Sequence, residues 1–204
     1  MLTEKKSIGY LELIIGPMFS GKTSKILEIY KQCLFCDIQV AVINHTSDDR
    51  YDECMLSTHD KRMIPCIQTR KLSEIWNNTN VDELYNLAAD DHLKLRRADV
   101  ILINEGQFFD DLYEVVEDML KNNKTIYIAG LDGDFERKKF GQILDLIPLC
   151  DKVTKLTSLC SQCKNGTSAI FSMRLSQERQ QTLVGAINYL PVCRKCYNVF
   201  IKTI

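Results

Sequence analysis

Gly16-Pro17-Met18-Phe19-Ser20-Gly21-Lys22-Thr23 stands between two runs of opposite periodicity, and its reading decides the fold. Before it, residues 10–15 are apolar and β-branched and are stopped by Gly16 and Pro17, the pattern of a buried strand. After it, Ile26, Leu27, Ile29, Tyr30 and Leu34 recur at helical spacing among Lys25, Glu28 and Lys31, predicting an amphipathic helix over 22–34. A G-x-x-x-x-G-K-[ST] segment between a strand and a helix is a phosphate-cradling loop. Its glycines let backbone N–H groups curl around an anion, and the helix adds its positive N-terminal end. Lys22 supplies a mobile charge, and Thr23 a hydroxyl where Mg²⁺ would sit against the terminal phosphates of a nucleoside triphosphate. A chance match in a chain of this length is an event on the order of one per cent.

Working outward, residues 39–43, 100–103 and 125–129 are short apolar runs that predict strands, and helical patterns over 81–95 and 112–121 separate them. Alternating strands and helices imply an α/β fold: a mostly parallel sheet with helices on both faces, assigned to residues 1–156. The composition then shifts. Residues 160–166 are short, polar and cysteine-bearing, 168–175 is a candidate strand, and 176–182 is polar without a period, which predicts a surface loop. Residues 157–204 are expected to form a small second domain.

Composition narrows the function classes. A chain of 204 residues with 45% hydrophobic and 26% charged side chains can bury one substantial core and carry a small appended module. Its 26 basic and 27 acidic residues cancel to a net charge of −1, which provides no global field toward nucleic acid or an anionic membrane and favours a small-molecule partner. No run of 18 apolar residues occurs, and residues 1–6 lack the apolar centre of a secretory signal, so a soluble, cytoplasmic protein is expected. Nine cysteines, an odd count in a core-forming chain, suit reduced thiols and metal ligands better than a disulfide framework.

Two further constellations carry chemistry. Ligands of open α/β sheets lie at the carboxyl ends of strands, so Asn104-Glu105-Gly106-Gln107-Phe108-Phe109, directly after strand 100–103, should face the bound phosphates. Glu105 is a candidate general base for a hydroxyl attacking the γ-phosphate, the alternative being a solvated carboxylate at a helix start. Cys160-x-x-Cys163 and Cys193-x-x-Cys196 are two knuckles that together complete a tetrahedral sulfur shell for Zn²⁺. Four protein ligands leave no open position, so such a metal is structural. Cys33-x-x-Cys36 ends the first helix and is expected to pack in the core, and Cys54, Cys66 and Cys150 stand outside the four-cysteine set. His45, His59 and His92 receive no catalytic assignment, while the basic clusters 94–97 and 137–139 are expected to be solvated, the second lying near the pocket.

Taken together, residues 16–23, Asp48-Asp49-Arg50-Tyr51, Thr58-His59-Asp60, residues 105–109, Leu131-Asp132-Gly133-x-Phe135-x-Arg137-Lys138-x-Phe140-Gly141 and both cysteine pairs resemble the zinc-containing, tetrameric class of thymidine kinases found in cytosol, bacteria and large DNA viruses. The resemblance spans most of the chain. It implies a RecA-like P-loop fold with a C-terminal zinc and lasso domain. It also implies transfer of the ATP γ-phosphate to the 5′-hydroxyl of thymidine, and of deoxyuridine, in thymidine salvage for DNA synthesis. Glu105 would be the base. Residues 16–23, Asp48, Arg50, Asn104 and Gln107 would serve ATP and Mg²⁺. Met18, Phe108, Leu131, Phe135, Phe140, Gln180, Gln181, Thr182, Leu183, Val184 and Tyr189 would hold the nucleoside, with Phe135 against the base and the lasso loop closing over it. A homotetramer and feedback inhibition by dTTP are implied as well.

Two departures from the family pattern stand out. Val184-Gly185 occupies a place where the family carries two glycines, so the loop should bend differently. Asn104 replaces an Asp that helps hold Mg²⁺. The amide keeps an acceptor oxygen and loses the charge, which should weaken affinity for the metal-nucleotide complex unless a carboxylate such as Asp132 compensates. Two other classes share parts of the pattern: an ATPase in which Glu105 activates water, and a zinc-stabilised nucleic-acid reader, against which the missing basic stripe argues.

Overall fold

Alternation of side chains across the strands builds two cores, one on each face of a single sheet. On the first strand Leu11, Leu13 and Ile15 enter one cluster while Ile14 enters the other, and on the strand at 100–103 Ile101 and Ile103 part from Val100 and Leu102 in the same way. Strands buried on both faces read as continuous apolar runs. The computed structural model describes residues 9–47, 55–57, 63–77, 87–183, 185 and 188–201.

In chain order the elements are β1 (Tyr10–Ile15), α1 (Lys22–Phe35), β2 (Val40–His45), β3 (Met55–Ser57), β4 (Met63–Pro65), β5 (Ile67–Thr69), α2 (Leu72–Trp76), α3 (Leu87–Arg97), β6 (Val100–Ile103), α4 (Leu112–Lys121), β7 (Thr125–Gly130), β8 (Lys152–Lys155), β9 (Ser158–Leu159), β10 (Ser168–Ala169), β11 (Phe171–Arg174), β12 (Tyr189–Val192) and α5 (Arg194–Ile201). Six strands form one sheet in the order β5-β2-β6-β7-β1-β8, and every pairing in it is parallel. The core on one face is filled by α2 and α4, with Leu95 from α3. The other face is covered by α1 and by the antiparallel β3–β4 pair, through Leu56 and Ile64. Helices therefore lie on both faces, as the alternation of patterns implies.

A third hydrophobic cluster, separate from both sheet cores, gathers Cys160, Ala169, Met173, Val192, Cys193 and Tyr197. Around it run two antiparallel ladders, β9 with β10 and β11 with β12.

Several expectations need correction. Residues 168–175 form two short strands rather than one, because the chain changes partners at Ile170, whose N–H donates to the Val192 carbonyl. The Cys33/Cys36 pair divides: Cys33 is buried and Cys36 exposed beyond the last turn of α1, so only the first packs in the core. Of the helix expected over 81–95, the described part is α3, and residues 81–86 lie outside the described residues.

Both basic clusters lie mainly at the surface, as expected, and most of their members pair or stack there. Arg96 stacks 3.9 Å from the Trp76 ring and Lys94 pairs with Asp90. Arg137 lies 4.5 Å over the Tyr197 ring, Lys138 pairs with Glu136, and Lys139 with Asp145.

Candidate active site

All the sheet strands being parallel, their carboxyl ends lie on one side, and the segments following β1, β6 and β7 converge there into a single cavity. After β1 comes the phosphate loop. Its two glycines are required for different reasons. Gly16 has φ 153°, and a Cβ there would stand 2.4 Å from the Leu156 carbonyl oxygen. Gly21 has φ 84° with open space where a Cβ would stand, so the backbone conformation is what demands it. Lys22 opens α1, is buried, and donates from Nζ to the Pro17 carbonyl at 2.7 Å, curled back within its own loop. The Met18 N–H donates to Ser172 Oγ at 2.9 Å, tying the loop to β11.

After β6 the chain turns sharply. Glu105 adopts φ 54°, ψ 41°, a left-handed conformation that costs a non-glycine residue on the order of 1 kcal/mol and is concentrated at functional positions. It precedes a single 3₁₀ turn, Gly106–Phe108, but its side chain makes no capping bond. Instead Gln107 Nε2 donates to Glu105 Oε2 at 2.7 Å, while Gln107 Oε1 accepts the Leu131 N–H at 2.9 Å. One buried amide thus fixes the carboxylate and the start of the segment after β7. Glycines at 130 and 141 permit this: a Cβ would lie 2.6 Å from Gln107 Oε1 at the first and 2.1 Å from the Gln107 carbonyl at the second.

The segment after β7 folds on Asp134, whose Oδ1 accepts the N–H groups of Glu136 and Lys138, both at 2.9 Å. The turn presents Phe135, whose carbonyl accepts Tyr197 Oη–H at 2.6 Å. Phe108 and Phe140 form an aromatic wall of the cavity, edge-on at 5.5 Å, and His45, which does not line the cavity, packs on Phe108 at 5.5 Å. Burial pushes the His45 imidazole below its ordinary range, and its Nδ1 accepts the Ser47 N–H at 3.0 Å, as the neutral ring can.

Of the residues singled out from the sequence, Met18, Phe19, Ser20, Gly21, Lys22, Thr23, Glu105, Gln107, Phe108, Leu131, Phe135, Phe140, Gln181, Thr182, Leu183 and Tyr189 line this one cavity. Gly16, Pro17, Asn104 and Gln180 do not, and Asp48, Arg50 and Val184 lie outside the described residues. Asn104 is buried, its Nδ2 donating to Asn44 Oδ1 at 2.9 Å across β2 and β6, and Asp132 pairs with Lys155 at 2.8 Å. The amide is turned toward Asn44 rather than the cavity, and the carboxylate proposed to compensate for it already neutralises a lysine.

Ser24, Ser47, Gly133, Asp134, Ser172 and Gly185 complete the lining and were not anticipated. For Ser172 a signal existed: in β11 it alternates with Phe171 and Met173, and a small polar residue buried in an apolar strand asks for a partner.

The four sulfurs of Cys160, Cys163, Cys193 and Cys196 lie within 4.8 Å of one another, with Cys163 Sγ 3.8 Å from that of Cys193 and 3.4 Å from that of Cys196. A tetrahedral shell at the usual Zn–S length has S···S edges of roughly 3.8 Å. Donor type, number and spacing therefore fit Zn²⁺. Burial opposes the Cys160 thiolate, yet N–H donors of Cys163, Cys193 and Gln162 outweigh it and bring that thiol down to about 6. Cys196 is pushed up to about 12 by its bond with Cys163 and by burial. Thr23 and Glu105 contribute hard oxygen donors to the cavity, which suits Mg²⁺ bound mainly through phosphates and water.

The family model for thymidine kinase matches residues 9–197. The thymidine kinase of Sheeppox virus (strain KS-1) is 40% identical over 190 residues, 93% of this chain and 97% of the relative. That of Yaba monkey tumor virus (strain VR587) is 38% identical over 190 residues, 93% and 94% of the two chains. The cytosolic thymidine kinase of Bos taurus is 35% identical over 193 residues, 94% of this chain and 73% of the relative.

Proposed function

The chain belongs to the thymidine kinase family, and from that membership we propose how its residues transfer the γ-phosphate of ATP to the 5′-hydroxyl of thymidine. The observation that carries the reading is that a phosphate loop, a carboxylate locked by Gln107 and an aromatic wall share one cavity. Residues 16–23 hold the triphosphate through backbone N–H groups, and Lys22 swings from Pro17 to the β- and γ-phosphates. Thr23 would hold Mg²⁺ together with the phosphates and water, and the ion would supply neutralisation of the triphosphate charge there.

The thymine ring packs on Phe135 and the aromatic wall, under the backbone of residues 181–183. That places the 5′-oxygen between the γ-phosphorus and Glu105. As the O5′–P bond forms and the bond from phosphorus to the bridging oxygen breaks, the hydroxyl proton passes to Glu105 and ADP departs. Positioning and charge neutralisation do most of the work, because phosphoryl transfer passes through a loose transition state.

Cys160, Cys163, Cys193 and Cys196 would hold Zn²⁺ with no position left open, a structural role in which the two knuckles fix the ends of the segment bearing β11, β12 and the loop between them. Residues 1–156 form the nucleotide-binding domain and 157–204 the zinc and lasso domain, the nucleoside lying between Phe135 of the first and the 181–183 segment of the second, a division supported by the separate hydrophobic cluster around Cys160 and Tyr197. The enzyme assembles as a homotetramer, for which the exposed Leu34, Phe35 and Ile38 offer apolar surface, Phe35 being 90% exposed. dTTP, which joins the base of one substrate to the triphosphate of the other, inhibits by spanning both halves of the cavity. No described helix is long and apolar enough to cross a membrane, and a reduced four-thiol site suits the cytoplasm.

Labelled ATP incubated with Mg²⁺ and each deoxynucleoside in turn tests the central reading. Labelled monophosphate is expected from thymidine and deoxyuridine. Free phosphate in every tube, with no nucleotide product, would replace the kinase with a hydrolase.

A further inference from the structure

Arg174 is 4% exposed, at the end of β11 and directly opposite Tyr189 in the β11–β12 ladder. A guanidinium carries five N–H donors in a fixed planar fork, and the structure shows five bonds to it, all with neutral oxygens. Nε and Nη2 donate to Tyr189 Oη at 3.1 and 2.6 Å. Nη1 donates to the carbonyls of Glu178, at 3.0 Å, and Gln180, and Nη2 also to that of Gln181, at 2.8 Å. Its flat face lies 3.7 Å over the Phe135 ring. The Tyr189 hydroxyl donates onward to the Leu183 carbonyl at 3.1 Å. From the opposite side, Gln181 Nε2 donates to Asp134 Oδ2 at 2.8 Å.

We propose that Arg174 is the template on which residues 178–183 fold, and so a positioning residue for nucleoside recognition. Its fork sets where the backbone of this polar segment runs, its face sets the tilt of Phe135, and its bonds to Tyr189 set the hydroxyl that holds Leu183. The segment has no regular secondary structure of its own over 178–183. Three of its carbonyls converge on one cation, and that convergence replaces the ladder it lacks. Lysine at 174 keeps the charge but has neither the planar face nor the fork, so it cannot bind three carbonyls and a phenol at once. The proposal rests on the reading of residues 181–183, Phe135 and Tyr189 as nucleoside contacts.

Limited trypsin digestion of the full-length, zinc-loaded protein reports the segment directly, because Arg179 is exposed and flanked by two carbonyls that Arg174 holds. Cleavage after Arg179 tracks the open population of the segment. In Arg174→Lys it is expected to accelerate about tenfold or more, while cleavage after Lys121 and Lys164 stays within about twofold of the parent. KM for thymidine should rise about tenfold, with kcat and KM for ATP nearly unchanged, the split that lost positioning of one substrate produces. Tyr189→Phe, which removes the hydroxyl from the network, should give intermediate cleavage after Arg179.

Parental cleavage after Arg179 in Arg174→Lys overturns the proposal. Equal acceleration at all three sites overturns it as well, since the arginine would then hold the fold at large. Thymidine should slow cleavage after Arg179 in the parent. If thymidine has no effect while Arg174→Lys is still cut faster, the nucleoside reading is what fails, and the positioning role falls with it, leaving only a clamp.

Discussion

The two halves of the cavity are built by opposite means. The phosphate half is backbone: N–H groups of residues 16–23, springing from β1 and feeding α1, set by a glycine that approaches the Leu156 carbonyl and another that turns left-handed. Neighbours in sequence make most of it, with one long-range tie from the Met18 N–H to Ser172. The half proposed to take the nucleoside is side chain: Arg174, Tyr189, Asp134 and Gln181 are brought together over separations of up to 47 residues, in a segment flanked by the two cysteine pairs. A site made by local backbone survives as long as the sheet survives. One made by distant side chains can be lost while the sheet stands, and experiments can separate the two.

The largest effect is expected at the point shared by both halves. Glu105→Gln should lower kcat by about 10²–10⁴-fold, the usual worth of a positioned base, with either KM little moved. Retention of near-parental kcat would show that neither half relies on that carboxylate. Next, Cys163→Ser should abolish stoichiometric zinc by elemental analysis and raise KM for thymidine at least about tenfold. ATP affinity by calorimetry should stay within about threefold, because the phosphate loop is joined to the cysteine-flanked segment through the single Met18–Ser172 side-chain bond. Parallel loss of ATP binding would break the distinction between the halves.

Gln107→Met removes the amide that holds Glu105 and the Leu131 N–H, and should cost about tenfold in kcat/KM for thymidine through misplacement of the base. Asn104→Asp probes the backbone half. It should lower the Mg²⁺ concentration for half-maximal activity severalfold, provided that Asn44 turns its amide to donate to the new carboxylate; an unchanged titration would place position 104 outside the metal's reach.

The smallest effect is a pH slope. Burial holds the His45 imidazole below its unfolded value, so its neutral form favours folding fully above about pH 6.5, and stability declines as pH falls from there toward the lowered folded value. Melting curves of His45→Phe between about pH 7 and 5 should be flatter than the parent's by the part of the slope His45 carries.

This contrast also governs what was legible in the sequence. β1, β6 and α4 occupy the ranges that periodicity gives, and the phosphate loop follows from a contiguous motif, because their causes are local. β8 went unread: Lys-Val-Thr-Lys at a sheet edge has too few apolar residues to announce a strand, and it is held by pairing with β1. β12 and α5 lay behind the cysteine pattern, which drew attention to ligands rather than to the elements that present them.

Within the site, the aromatic positions and Glu105 could be named from their motifs, whereas the orientation of Asn104 toward Asn44 depends on a residue sixty positions away. Arg174 was invisible for a deeper reason. Its partners are mostly main-chain carbonyls, which every residue possesses, so no residue type at any spacing foretells them.

The left-handed backbone at Glu105 has a bearing on how far this scaffold can be stabilised. A side chain at φ 54° is a concession of conformational energy made for the sake of aim, and glycine would be spared it. Glu105→Gly should therefore melt no lower than Glu105→Gln, although both are expected to lose most phosphate transfer. Selection for thermal robustness alone would push position 105 toward glycine, and on its proposed role as base it is selection for turnover that keeps a carboxylate there.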